Sequence, residues 1–317
     1  MYPRLALGMP RRRPRLRLAI SFAISLLALC ACLPVTPPRS AATRAPTQPA
    51  SPAPSPKPAT SASPSNGIGS VFVIVMENRS YQEALGGAYT AALARRFALA
   101  TNYHAVAHPS LPNYLALTGG TTAGIRDDGF HQLATAGLGG ELTQAHVSWA
   151  AYMESMTRGC HDSPPPYALK HNPFAYYQGG CSANVRPLDD LASDLGGASP
   201  HRFVWISPNL CHDGHDCSTA TADAFLSRLV PEILASSAWQ RDGVLFITWD
   251  ESDSATDNRV PCLVVAPHLL AHLSARYYTH YSLLATVSTE LGVAAPGLSA
   301  QSVPFGDLLP LTPMGSQ

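Results

Sequence analysis

The sequence predicts an α/β fold: a mostly parallel sheet with helices on both faces, held in a single domain spanning residues 68–310. Two observations carry this. The runs Val71-Phe-Val-Ile-Val-Met76 and Val244-Leu-Phe-Ile-Thr-Trp249 are almost continuously apolar and rich in β-branched residues, as strands buried on both faces must be. Further strand-like runs at 147–153, 203–207 and 263–266 alternate with helical patterns at 80–97, 220–235 and 279–291. Strands that alternate with helices are joined by parallel crossovers, which lay helices over the sheet.

Each helix has its own justification. Segment 80–97 has apolar residues at helical spacing, weakened by Gly86-Gly87. Segment 220–235 carries Ala224, Phe225, Leu229, Ile233 and Leu234 on the same period. Segment 279–291 runs into Gly292, which suits a helix C-cap.

The chain ahead of the domain reads differently. Residues 1–32 resemble an export signal, with Arg11-Arg-Arg-Pro-Arg-Leu-Arg17 as the basic region and an apolar stretch over 18–31 that is short for a membrane span. Leu29-Cys-Ala-Cys32 resembles a lipobox with Cys32 as the lipidated residue; simple cleavage and a retained anchor are the alternatives. Residues 33–67 form a linker, with ten prolines among Ala, Ser and Thr between 33 and 66. Such a composition buries too little apolar surface to fold and serves as an extended tether. Residues 311–317 are a short C-terminal tail.

The formal charge of zero conceals an asymmetry. Nine basic residues and no acidic one precede Glu77, and from Glu77 onward 12 basic residues face 21 acidic ones, a net of −9. An acidic body argues against nucleic acid as a partner. Neither usual glycine-rich nucleotide loop is present, which argues against nucleoside triphosphate and nicotinamide chemistry. Cys160 and Cys181 flank a Pro-rich loop, and Cys211 and Cys217 bracket a tight His/Asp segment. Two local disulfides suit an oxidising compartment, a zinc site at 211–217 being the alternative, and Cys262 is expected as a buried free thiol.

Chemistry concentrates where the strands end. The first run delivers Glu77-Asn78 and the second Asp250-Glu251. In open α/β sheets the C-terminal strand edge is where ligands bind. Three carboxylates and an amide there suggest a divalent cation, although each acidic pair could simply cap the next helix or loop. His108-Pro-Ser110-Leu-Pro-Asn113 places Ser110 as the N-cap of a helix whose exposed amides would receive an anion. Asn209-Leu-Cys-His212-Asp213-Gly-His215-Asp216 comes after strand 203–207 and suits phosphate binding or leaving-group protonation. Lys170-His171 is a cationic patch that would neutralise phosphate oxygens, and His280 is a weaker candidate.

These blocks occur in order: Val-Met-Glu77-Asn78-Arg-Ser-Tyr, His108-Pro-Ser110-Leu-Pro-Asn113-Tyr, Lys170-His171-Asn-Pro-Phe, Pro-Asn-Leu-Cys-His212-Asp213-Gly-His215-Asp and Thr-Trp-Asp250-Glu251. Together they resemble the phosphoesterase family of bacterial acid phosphatases and phospholipases C, within the alkaline phosphatase-like superfamily. The resemblance covers residues 68–310. It implies a doubly wound α/β fold and metal-assisted phosphoryl transfer to a serine or threonine. On that resemblance Glu77, Asn78, Asp250 and Glu251 hold a divalent cation of unspecified identity. Ser110 is the nucleophile, with Thr118 and Thr121 nearby as alternatives; His212 and Asp213 assist catalysis. His108, Asn113, Lys170, His171 and His215 line the phosphate pocket. The expected activity is that of an exported or surface-anchored acid phosphatase acting on small phosphomonoesters, with an acid pH optimum set by histidines such as His212. A phospholipase C or other phosphodiesterase acting on phospholipid is one alternative, and a catalytically inactive surface-binding domain another.

Overall fold

Strand β1 (Val71–Met76) is buried at every position, as are β5 (Phe203–Ser207) and β6 (Val244–Trp249). Full burial of alternating side chains requires that both sheet faces be covered. The computed structural model describes residues 69–253 and 257–310, all within one compact unit. The export signal, Cys32, the linker and the tail lie outside the described residues.

The remaining strands are β2 (Ala98–His104), β3 (Trp149–Met153), β4 (Val185–Pro187), β7 (Arg259–Val265), β8 (His272–Ser274) and β9 (Tyr278–Thr279). They form one sheet in the order β4-β3-β5-β1-β6-β7-β2-β8, with β9 also paired to β2. Among the described strands only β7 runs against the others: it is antiparallel to β6 and to β2, whereas the other pairings are parallel. The helices are α1 (Tyr81–Ala84), α2 (Ala88–Arg96), α3 (Ser110–Gly119), α4 (Gly137–Gln144), α5 (Leu191–Leu195), α6 (Thr219–Ala235), α7 (Ser237–Gln240) and α8 (His280–Leu291). Helix α3 packs on α8, and α2 on α6. Phe72, Trp205, Phe246 and Phe305 are among the largest wholly buried side chains of the core.

Two expectations change. The helix expected over 80–97 is two helices. Ser80 and Glu83 close a capping box on α1, and the chain restarts at Gly87. A Cβ on Gly87 would lie 2.4 Å from Asp223 Oδ1, so a side chain here would push that carboxylate aside. With no side chain of its own to cap α2, Gly87 leaves that task to Asp223 of α6, which accepts from Tyr89 N (2.9 Å), Thr90 N (2.8 Å) and Thr90 Oγ1 (2.8 Å). The second change is β2, whose Thr101 and Asn102 break the apolar run that would have marked it as a strand.

Cys160 pairs with Cys181, and Cys211 with Cys217, at Cα separations of 6.0 and 4.7 Å. The second pairing removes the zinc alternative, since both thiols are consumed. Cys262 is the expected buried free thiol.

Candidate active site

Register brings the two acidic pairs together. Met76 and Trp249 are partners at the ends of adjacent parallel strands, so Glu77-Asn78 and Asp250-Glu251 emerge side by side. Backbone bonds fix them there: Asp250 N donates to Met76 O (2.9 Å) and Glu77 N to Asp213 O (2.9 Å). Asn78 adopts a left-handed φ of 48°, which asparagine tolerates better than most residues, and its N–H donates to Asp250 Oδ1 at 3.2 Å. Arg79 ties this turn to the segment after the second disulfide. Its Nη1 donates to Asn78 O (2.6 Å) and its Nη2 to Cys217 O (2.7 Å).

Helix α3 points its N-terminus at the same place. Pro109, after a cis His108–Pro109 bond, is the N-cap, and Ser110 is the first helical residue rather than the expected cap. Ser110 is buried, and its Oγ donates to Glu77 Oε2 at 3.1 Å. His108 Nδ1 lies 2.6 Å from Glu251 Oε2, with 39 % of its side chain exposed at the mouth. Asn113, expected in the phosphate pocket, is instead wholly buried and shapes the turn. Its Oδ1 accepts from Val106 N and Ala107 N, both at 3.0 Å, and its Nδ2 donates to Ala107 O at 2.9 Å.

The remaining expected residues divide. Lys170 Nζ reaches Asp128 Oδ2 at 3.0 Å and His215 Nε2 at 3.1 Å. A lysine ammonium only donates, so His215 Nε2 accepts and its proton sits on Nδ1, which faces Asp216 Oδ1 at 2.7 Å. His171, expected in the pocket as well, is 1 % exposed and lies behind Glu77. Its Nε2 is 3.2 Å from Glu77 Oε1 and its Nδ1 3.0 Å from Asp213 Oδ2, while its ring stacks on Tyr114. Asp213 is wholly buried and accepts from His215 N at 2.7 Å, which places it as a support for both histidines. His212 departs most from expectation. Its Nδ1 pairs with Glu154 Oε1 at 2.7 Å and its ring stacks on Phe225, so its partners are other than the carboxylate cluster. Thr118 is turned into the core, where its Oγ1 donates to Tyr114 O at 2.7 Å.

Two residues exceed what the sequence suggested. His280 Nε2 donates to Asp250 O at 2.6 Å, and its Nδ1 meets the Tyr103 hydroxyl at 2.7 Å. Burial holds this imidazole down to about 4, so it stays neutral and buttresses the Asp250 backbone. Asp128, in the segment between α3 and α4, accepts from Leu111 N at 3.0 Å and pairs with Lys170. Its only sequence signal is an Asp-Asp-Gly turn, which marks no site.

Burial of like charges sets the electrostatics. Burial, then Asp250 and Asp213, push Glu77 well above the carboxylate range. Burial lifts Asp250 to about 7, and burial with Asp250 and Asp128 lifts Glu251 to about 9. Burial opposes the charge on Lys170, but Asp128, Glu77 and Asp250 outweigh it and raise its pKa. Burial, then Lys170 and His215, push His171 well down. Asp250 Oδ2 is buried with no hydrogen-bond partner. A buried carboxylate oxygen left unpaired among other carboxylates fits a hard divalent cation.

The chain has recognisable relatives. The model of the Phosphoesterase family matches residues 87–294. A phosphate-repressible acid phosphatase of Penicillium chrysogenum is 30% identical over 243 residues, covering 71% of this chain and 59% of its own length. The chain thus spans little more than half of that fungal relative. A phosphatidylinositol-3-phosphatase of Mycobacterium tuberculosis is 27% identical over 249 residues, covering 75% of this chain and 82% of its own. Among solved structures, a phosphonate monoester hydrolase from Silicibacter pomeroyi superposes with a TM-score of 0.54 at 11% identity, covering 78% of each chain. An alkaline phosphatase superfamily protein from Vibrio parahaemolyticus gives 0.53 at 11% identity, over 72% of this chain and 67% of its own. Those likenesses bear on the fold, which is the alkaline phosphatase-like α/β arrangement. With its family model matching residues 87–294, about two thirds of the sequence, the chain belongs to the Phosphoesterase family.

Proposed function

We propose that the chain is a metal-dependent phosphomonoesterase of the acid phosphatase type, acting outside the cytoplasm through a phosphoseryl intermediate. One observation carries the reading: Ser110 Oγ, at the N-terminus of α3, donates to Glu77 among the paired carboxylates of two adjacent strand ends. Relatives named phosphate-repressible acid phosphatase and phosphatidylinositol-3-phosphatase support a phosphatase reading. Two disulfides and the basic, apolar N-terminus support export. Among the described residues no helix is long and apolar enough to cross a membrane. Anchoring would rest on Cys32.

The residues have separable tasks. A divalent cation held by Glu77, Asn78, Asp250 and Glu251 would lower the proton affinity of the Ser110 oxygen and offset charge on the phosphoryl oxygens. Ser110 Oγ attacks phosphorus, forming the Oγ–P bond as the bond to the leaving oxygen breaks; its proton, which points at Glu77 Oε2, leaves the hydroxyl, and the departing oxygen takes up a proton from water and leaves as the alcohol. Lys170, held by His215, faces the phosphoryl group with a permanent positive charge. The first amides of α3 add their dipole. Water then hydrolyses the phosphoserine, releasing orthophosphate and restoring the hydroxyl. His171, Asp213, Asn113 and His280 hold these groups in place.

The test is a comparison of a chromogenic phosphomonoester with its diester, with mass analysis of acid-quenched enzyme. Faster monoester turnover and one phosphoryl group on the peptide containing Ser110 are expected. Preferential cleavage of the diester would favour the phosphodiesterase reading. No phosphate release from any ester, with several divalent cations supplied, would favour a binding domain.

A further inference from the structure

Resting on the phosphomonoesterase reading, we propose that Asp128 is a displaceable stand-in for the substrate phosphate, one that sets how tightly the site holds an anion. The head of α3 is poor in donors. Pro109 and Pro112 carry no N–H, so Ser110 and Leu111 supply the free amides of the first turn. Asp128 Oδ1 takes the Leu111 amide at 3.0 Å, and its Oδ2 takes Lys170 Nζ at 3.0 Å. One carboxylate thus bridges a helix-start amide and a lysine, the two donors that a phosphoryl oxygen beside Ser110 would use. The match is one of chemistry: a planar anion with two oxygens, aimed at the donors of a tetrahedral anion with more.

Its surroundings suit exchange rather than permanence. The Asp128 side chain is 31% exposed, unlike the buried Glu77 and Asp250. It reaches both partners from a segment of turns, with Ala123 at φ 54° and Gly124 at φ 74°. That segment is anchored further on, where Leu133 N and Gln132 Nε2 donate to Tyr176 O at 2.7 and 3.1 Å. The neighbouring Asp127 faces outward, accepting from Gly129 N at 2.8 Å and lying 2.6 Å from His131 Nε2. Of this pair only Asp128 addresses the site. An incoming phosphate must replace its carboxylate on Lys170 and Leu111, and like charge forbids both from sharing the donors closely. Substrate binding therefore carries the cost of releasing Asp128, and so does retention of the product.

The experiment compares KM, kcat and the inhibition constant of orthophosphate in the parent, Asp128→Asn and Asp127→Asn. Asparagine keeps an acceptor for the Leu111 amide but removes the competing charge. Asp128→Asn should lower both KM and the orthophosphate inhibition constant about three- to tenfold, the size of one helix-terminus or partly exposed ion-pair interaction. kcat should hold or fall as product leaves more slowly, and Asp127→Asn should match the parent. Circular dichroism and Tm check that each variant folds, and Asp128→Ala serves as the second variant if the asparagine rebinds the amide too well. An unchanged or raised KM with weaker orthophosphate inhibition in both variants would overturn the proposal, leaving Asp128 as a support for Lys170. If the folded parent neither turns over a phosphomonoester nor binds orthophosphate, the phosphomonoesterase reading itself falls, and this proposal falls with it.

Discussion

Asp223 and Asp250 are both carboxylates serving the α/β scaffold, yet their oxygens are treated in opposite ways. Asp223 reaches from α6 to the start of α2, and each of its oxygens accepts from a backbone amide there, with the Thr90 hydroxyl added. Asp250 sits wholly buried beside Glu77, with Oδ1 on one amide and Oδ2 on nothing. A carboxylate that completes a helix end is satisfied by the protein. One left without a partner among other carboxylates is a place where a proton or a cation can be taken up. The difference separates architecture from chemistry more sharply than burial or residue type does.

The largest test of that separation is Ser110→Ala. Its hydroxyl belongs to the unsatisfied region, whereas Thr118 is turned inward onto Tyr114 O and Thr121 lies exposed in the turn after α3, where its Oγ1 accepts from Ala123 N. Turnover of a phosphomonoester should fall at least about 10³-fold, in the range seen when a nucleophile or its main electrostatic support is removed. Tm should move little, since the substitution removes a single hydroxyl that donates to Glu77. Retention of most turnover would take the nucleophile role from Ser110.

Next in size is the response to a divalent cation, whose sign with pH is fixed by the raised carboxylates. Without a cation, burial pushes Asp250 up to about 7, and burial with Asp250 and Asp128 pushes Glu251 up to about 9, against ordinary values of 3.8 and 4.5. The folded state then keeps protons that the unfolded chain has already lost. Stability is therefore fully present at low pH and drains away as pH climbs from about 4 to about 9. A cation needs these groups ionised and competes with their protons, so its stabilising effect should grow over the same window. At a hundredfold excess over Kd it should contribute about 2.7 kcal/mol. Thermal melts near pH 5 and pH 8, with chelator or with calcium, magnesium, manganese or zinc, read this out. Asp250→Asn should abolish the gain and, in chelator at the higher pH, melt above the parent. Melting points indifferent to every cation at both pH values would refute the metal assignment.

How much of this was legible in sequence varies by region for a physical reason. The central strands declare themselves because full burial demands unbroken apolar runs, and the acidic pairs stand out against them. Glu77, Asn78, Asp250 and Ser110 come together at two adjacent strand ends and the head of α3. The roles of Asn113 and His171 were hidden, because a side chain facing the pocket and one bracing it from behind have the same composition. His212 and His215 lie three residues apart in one loop, yet only the latter meets Lys170; loop direction leaves no periodic trace. Asp128 contacts residues 17 and 42 positions away, and such contacts arise from tertiary structure alone. Strand β2 was obscured by Thr101 and Asn102, and its place in the sheet depends on pairing with β7.

The smallest expected effect completes the comparison from the architectural side. Asp223→Ala removes three accepted hydrogen bonds at once and leaves the α2 amides of Tyr89 and Thr90 without their cap, while Gly87 offers none. Loss of a cap costs about 1–2 kcal/mol, and for a domain of this size each kcal/mol lowers Tm by about 2–4 °C. Water reaches this helix start more easily than the deep core, which keeps the penalty towards the lower figure. Turnover should stay within about twofold of the parent, because the α2–α6 contact touches none of the strand ends that carry the chemistry, and cations should stabilise the variant as they do the parent. Asp223→Asn, which retains an acceptor oxygen, should recover part of the loss. If Asp223→Ala instead lost activity while keeping its Tm, satisfied oxygens would no longer mark a carboxylate as architectural.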